Sequence, residues 1–174
     1  KTPNNKIYFT AWWFRYARNE RSLLNHRVIK LPITIYLMPT LSERIISQHA
    51  NQPISAGDIA IVDVDAVMAT DATAPFALKA FKEMGGDKVW NKDKTFLIID
   101  HASPAPNERV ANLHKLMRDF ARAQDIKLYD VGAGICHQLM VENEHVKPGD
   151  LFLGADSHTP TYGALGAFAV GVGS

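Results

Sequence analysis

Three histidines in this chain each follow an apolar run, two of them with an aspartate beside them or two positions before. Asp100-His101 follows Phe96-Leu97-Ile98-Ile99, and His137 sits in Gly134-Ile135-Cys136-His137-Gln138 after the run at 127–131. Asp156-Ser157-His158-Thr159 follows Leu151-Phe152-Leu153. A carboxylate beside an imidazole fixes the ring's tautomer and raises its pKa, which suits a proton donor to a departing hydroxyl. Taken alone, an Asp-His pair at a strand end is more often a loop cap. A lone histidine after glycines is more often buried and satisfied by main-chain groups. The side chains of Asp156 and His158 face the same way if the strand pattern reaches that far. A Ser157-His158 nucleophile pair is the rival chemistry, but no GxSxG elbow presents the serine. The glycines from 163 to 173 resemble a phosphate-cradling loop but lack GxxxxGK[ST] and an adjacent lysine, so they are read as close backbone packing.

Those side chains need strands that end together. The pattern predicts strands over 59–64, 96–100, 127–131 and 151–155, and helices over 76–84 and 108–123. Gly85-Gly86 closes the first helix, and Asn107 caps the second. Val110, Leu113, Met117 and Phe120 share one face of that second helix. The glycine-rich segment after His158 is expected to open a further helix. Strands alternating with helices predict a three-layer α/β/α domain with a mainly parallel sheet, whose polar groups gather at the strand exits.

Composition narrows the function classes. The chain has 174 residues, 47% of them hydrophobic, and a formal charge of +1, which argues against a polyanion-binding protein. Residues 1–37 hold seven Lys and Arg against one Glu, whereas 38–174 hold twelve against seventeen Asp and Glu. The basic segment is expected to be upstream translation ahead of an initiator at Met38, with a transit peptide as the rival. Thr40 and Glu43 then form a capping box at the first helix. Cys136 is the single cysteine, which excludes an intrachain disulfide and points to a reducing compartment. No apolar run approaches the roughly 18–20 residues of a membrane span.

Asp100-His101, GICHQ at 134–138 and GADSHTPTYGALGAFAVGVGS at 154–174 closely resemble the aconitase superfamily, nearest to the large subunits of its isopropylmalate dehydratase branch. The resemblance runs from about Met38 to Ser174 and implies the aconitase iron-sulfur domain type, truncated. It implies a hydro-lyase that removes water from a small hydroxy di- or tricarboxylate and adds it back in the opposite sense. By the same resemblance, Asp100 and His101 help protonate the leaving hydroxyl, and Asp156 holds His137 in the active site. His158 pairs with a glutamate outside this chain, and Ser157 binds a substrate carboxylate. Thr70 lies in the substrate-contacting loop, although aconitase-type members carry glutamine there. A [4Fe-4S] cluster, whose open iron acts as a Lewis acid, is implied for the full-length protein. Its three cysteines are expected beyond Ser174, with no metal ligand in this chain and no cluster bound by it alone. A small-subunit swivel domain is the implied partner, in the cytoplasm, with neither nucleic acid nor membrane involved. Homoaconitase and aconitase are the alternative substrate readings, and a cluster-free scaffold domain is the alternative of another class.

Overall fold

The structure, a computed structural model, describes residues 7–10 and 38–173. Most of the segment 1–37, with the initiator and transit-peptide readings attached to it, lies outside those residues. The described residues divide into two compact units, one up to residue 63 and one from residue 64 onwards.

In the first unit, β1 (Ile7–Thr10) and β2 (Ile59–Val62) pair antiparallel, with Ile7 opposite Val62. Helix α1 (Leu41–Ala50) opens on the expected capping box: Thr40 Oγ1 accepts the Glu43 N–H at 3.1 Å, and Glu43 Oε2 accepts the Thr40 N–H at 2.8 Å. Among the described residues of this unit, Ile45, Ile54, Ala60 and Val62 are buried. The strand expected over 59–64 therefore forms, but it pairs in this two-stranded ribbon and not in the parallel sheet.

The second unit carries that sheet. Its first strand is β3 (Ala66–Thr70), followed by α2 (Ala74–Glu83), β4 (Thr95–Ile98), α3 (Glu108–Gln124) and β5 (Lys127–Tyr129). Then come α4 (Cys136–Glu142), β6 (Leu151–Ala155), a 3-10 helix (Thr159–Leu165) and β7 (Phe168–Gly171). The strand order is β5-β4-β3-β6-β7, and every neighbouring pair is parallel. Asn107 caps α3 by accepting the Val110 N–H at 3.0 Å, and Pro75 occupies the first turn of α2, where its missing N–H goes unmissed.

Alternation along the strands fills two cores. Phe96 and Ile98 of β4 pack with Met68, Phe152, Cys136, Leu139, Met140 and Tyr162 on the face covered by α4 and the 3-10 helix. Leu97 and Ile99 point the other way, into Ala74, Met117 and Ala121 of α2 and α3. This is the α/β/α layering the sequence predicts. The glycine-rich segment departs from expectation, forming a short 3-10 helix and the edge strand β7 in place of an α-helix. Its tight spots are Gly154 and Gly171, which face each other across β6 and β7. A Cβ at Gly154 would meet Thr159 Oγ1, and one at Gly171 would lie 2.5 Å from the Asp156 carbonyl oxygen. The turn at 156–159 can settle onto the sheet because both side chains are absent.

The chain starts this sheet at β3, winds outward through β4 and β5, then returns to the other side of β3 for β6 and β7. The crossovers leave the C-terminal ends of β3 and β6 in opposite directions, which opens a crevice at the place where α/β sheets bind ligands. Among the described residues, no helix is long and apolar enough to cross a membrane.

Candidate active site

Each of the strands β3, β4 and β6 delivers an aspartate to that crevice. Asp71, one residue past β3, has a side chain only 2% exposed. Its Oδ1 accepts the backbone N–H of Asp100 at 3.0 Å and of His101 at 2.9 Å, and its Oδ2 accepts that of Ala102 at 2.8 Å. His114 Nε2 from α3 adds a contact at 3.4 Å. Burial is the largest single influence on this carboxyl and pulls its pKa up, but the backbone donors and His114 outweigh it and hold it below the ordinary aspartate range. Asp71 thus clamps the loop that carries Asp100 and His101.

Asp100 Oδ1 lies 2.7 Å from His101 Nδ1, and its Oδ2 accepts the Cys136 N–H at the start of α4, also at 2.7 Å. His101 Nε2 lies 3.3 Å from Asp156 Oδ2. Burial, the largest single influence, lowers the pKa of His101. The hydrogen bond to Asp100, with the charges of Asp100, Asp71 and Asp156, outweighs it and raises the imidazolium above its usual range.

Asp156, just past β6, is the hub of the cluster. Its Oδ1 lies 2.8 Å from His137 Nε2 and accepts the His158 N–H at 2.7 Å. His158 Nδ1 stands 3.4 Å from the same oxygen. Burial pulls the Asp156 pKa up, and the His158 N–H, the His137 bond and the nearby imidazoles together bring it below the usual aspartate value. Exposure climbs from 2% at Asp71 to 41% at His101 and 81% at His158, so the cluster is rooted in the core and opens to solvent along its histidines. The arrangement can hold an imidazolium between carboxylates that follow β4 and β6, the two strands flanking β3, and present it to a polar solute.

The structure brings Asp100, His101, His137, Asp156 and His158 together as the sequence suggests. Ser157 is exposed on the same turn. Thr70 is not brought into the cluster: it is fully buried, with its hydroxyl 3.4 Å from that of Thr73. Gln138 turns away to bond Glu142 on its own helix at 2.7 Å. Asp71, His114 and Tyr162 belong to the site and escaped the sequence reading. His114 lies three residues before Met117 and seven before Ala121, inside the buried stripe of α3, and a histidine there must have a buried partner. His145 is held away from the cluster: its Nε2 lies 2.6 Å from the Tyr129 hydroxyl, and its ring stacks on Phe96.

Two triples gather ligand-type atoms, His137-Asp156-His158 and Asp71-Asp100-His101. Their carboxylates already accept hydrogen bonds within the chain. An iron-sulfur cluster does not fit these residues. Cys136 is the only cysteine, it is buried, and its thiol is pushed up to about 12, chiefly by burial and further by Asp100. A thiol kept protonated in this way is a poor ligand.

Residues 43–174 match the family described as Aconitase family (aconitate hydratase). A 3-isopropylmalate dehydratase large subunit 1 of Archaeoglobus fulgidus is 51% identical over 137 residues, covering 78% of this chain and 32% of that protein. Proteins of the same description from Thermotoga maritima and Methanopyrus kandleri are 47% and 45% identical over 135 and 136 residues, each covering 78% of this chain and 32% of the relative. The chain spans about a third of the length of the curated relatives it matches.

Proposed function

Because the chain belongs to the aconitase family, we propose that it forms the proton-handling part of a hydro-lyase that interconverts 2-isopropylmalate and 3-isopropylmalate in leucine synthesis. The observation that carries this reading is His101, held on Nδ1 by Asp100 at 2.7 Å and facing Asp156 with Nε2 at 3.3 Å. A substrate hydroxyl entering the crevice replaces that longer contact and receives the Nε2 proton as it leaves. Asp100 and Asp156 stabilise the imidazolium beforehand, and Asp71 fixes the loop from behind. His137 bonds the other oxygen of Asp156, and we assign exposed Ser157 to donate to a substrate carboxylate. The thiolates of a [4Fe-4S] cluster are assigned to the remainder of the protein, since this chain's one cysteine does not suit them. The relatives' description as large subunits supports a separate small subunit as the partner.

The test is H101Q in the full-length large subunit assembled with its small subunit, assayed by hydration of isopropylmaleate, the unsaturated product of water loss. Turnover is expected to fall by about 10²–10⁴ with KM little changed. Wild-type turnover in the variant would remove His101 as the acid.

A further inference from the structure

Tyr162 stands in the 3-10 helix with its side chain fully buried, its ring edge-on to Phe152 and His137 at 5.0 and 5.5 Å between centroids. Its hydroxyl has two neighbours, His137 Nδ1 at 3.1 Å and Met68 Sδ at 3.6 Å. A phenol carries one proton and can give it to one of them at a time. His137 Nε2 faces Asp156 Oδ1 at 2.8 Å, and an ionised carboxylate only accepts, so Nε2 keeps its hydrogen in either charge state of the ring. In the neutral ring Nδ1 is bare and accepts a hydrogen bond from the Tyr162 hydroxyl. In the imidazolium, Nδ1–H donates to the phenol oxygen, and the tyrosine proton has to turn to the thioether, a weak acceptor.

We propose that Tyr162 is a positioning residue whose hydroxyl turns between His137 and Met68 as His137 gains and loses a proton, holding the ring in one orientation in both states. The balance is simple. One proton from the medium or the substrate joins Nδ1, Nε2–H is unchanged, and Tyr162 keeps its own proton and only rotates about its C–O bond. The titratable groups around the pair are Asp156, Asp100, Cys136 and the His158 ring, whose centroid lies 6.2 Å from that of His137. Of these, Asp156 alone is in hydrogen-bond contact with the ring. Met68 is a residue of β3 and Tyr162 follows β6, so the device spans the same pair of strands as the crevice.

The test uses the full-length large subunit with its small subunit, labelled with 15N at histidine, as wild type, Y162F and M68L. Phenylalanine keeps the ring that packs on Phe152, so Y162F removes the hydroxyl alone. With His137 neutral, wild type is expected to show a bare Nδ1 signal moved upfield of its position in Y162F by the tyrosine's hydrogen bond. The kinetic arm rests on the hydro-lyase reading: Y162F and M68L should each lower kcat by about tenfold at nearly constant KM. An identical Nδ1 signal in wild type and Y162F, or a hydrogen on Nδ1 of the neutral ring, overturns the proposal. A slow Y162F beside an M68L at wild-type rate overturns it as well, because Tyr162 would then be a fixed donor. A wild-type complex inactive on isopropylmaleate sinks the hydro-lyase reading and leaves the nitrogen signals to decide the tyrosine's role.

Discussion

Asp71 and Asp156 stand at the ends of adjacent parallel strands, at the same rim, with Ala69 opposite Ala155 just before them. Both lose water on folding, and both have a carboxyl held below the ordinary range. Their partners differ. Asp71 takes three consecutive backbone N–H groups and one fully buried imidazole. Asp156 takes one backbone N–H and is surrounded by three imidazoles of rising exposure. Backbone donors can neither leave nor change charge, so the first carboxylate serves mainly to fix a loop. Imidazoles can do both, so the second can take part in moving a proton. The identity of the donors, more than the depth of burial, separates scaffold from chemistry here.

The comparison breaks most visibly at Asp156. D156N in the full-length complex should cut turnover by about 10²–10⁴ while leaving the thermal midpoint near wild type. A folded, fully active D156N would end the distinction. D71N should behave in the opposite way: its amide meets N–H groups that need an acceptor, and the loss of a paired buried charge is expected to destabilise by on the order of 3 kcal/mol. That is read as a lower midpoint, with activity per folded molecule less affected. The smallest effect concerns His101, whose raised pKa contributes stability that is fully present below about 6.5 and lost as pH rises through the folded-state value. The difference in midpoint between wild type and H101Q should therefore shrink from pH 6 towards pH 9. It should be slight, because solvent screens a ring 41% exposed. A gap that stays constant with pH would remove the charge of His101 from the account.

The sequence made the histidines and their flanking aspartates readable because each sits at the exit of an apolar run, a pattern local to a few residues. The α3 cap and the later strands were readable for the same reason. Strand β3 was not. Ala66-Val67-Met68-Ala69-Thr70 has little β-branched content, and the more strand-like Ile59–Val62 just before it drew the assignment. With β3 misplaced, Asp71 became one more loop residue, and its contacts to a segment some thirty positions away had no local signature. Helix α4 was hidden because Cys136–Glu142 follows glycines that read as a loop and has no side-chain cap at its start. Tyr162 lies in the glycine-rich segment expected to open a helix, and its burial depends on β7 closing the sheet beside it, which no local pattern shows.

One carboxylate with three rings around it has a consequence for how mutations combine. His101 and His158 reach each other only through Asp156, yet removing one ring frees Asp156 to settle differently against the others. The energetic worth of each histidine is thus conditional on its neighbours, and single substitutions at the three positions will not sum. A double substitution among the three histidines is accordingly expected to differ from the sum of its single ones.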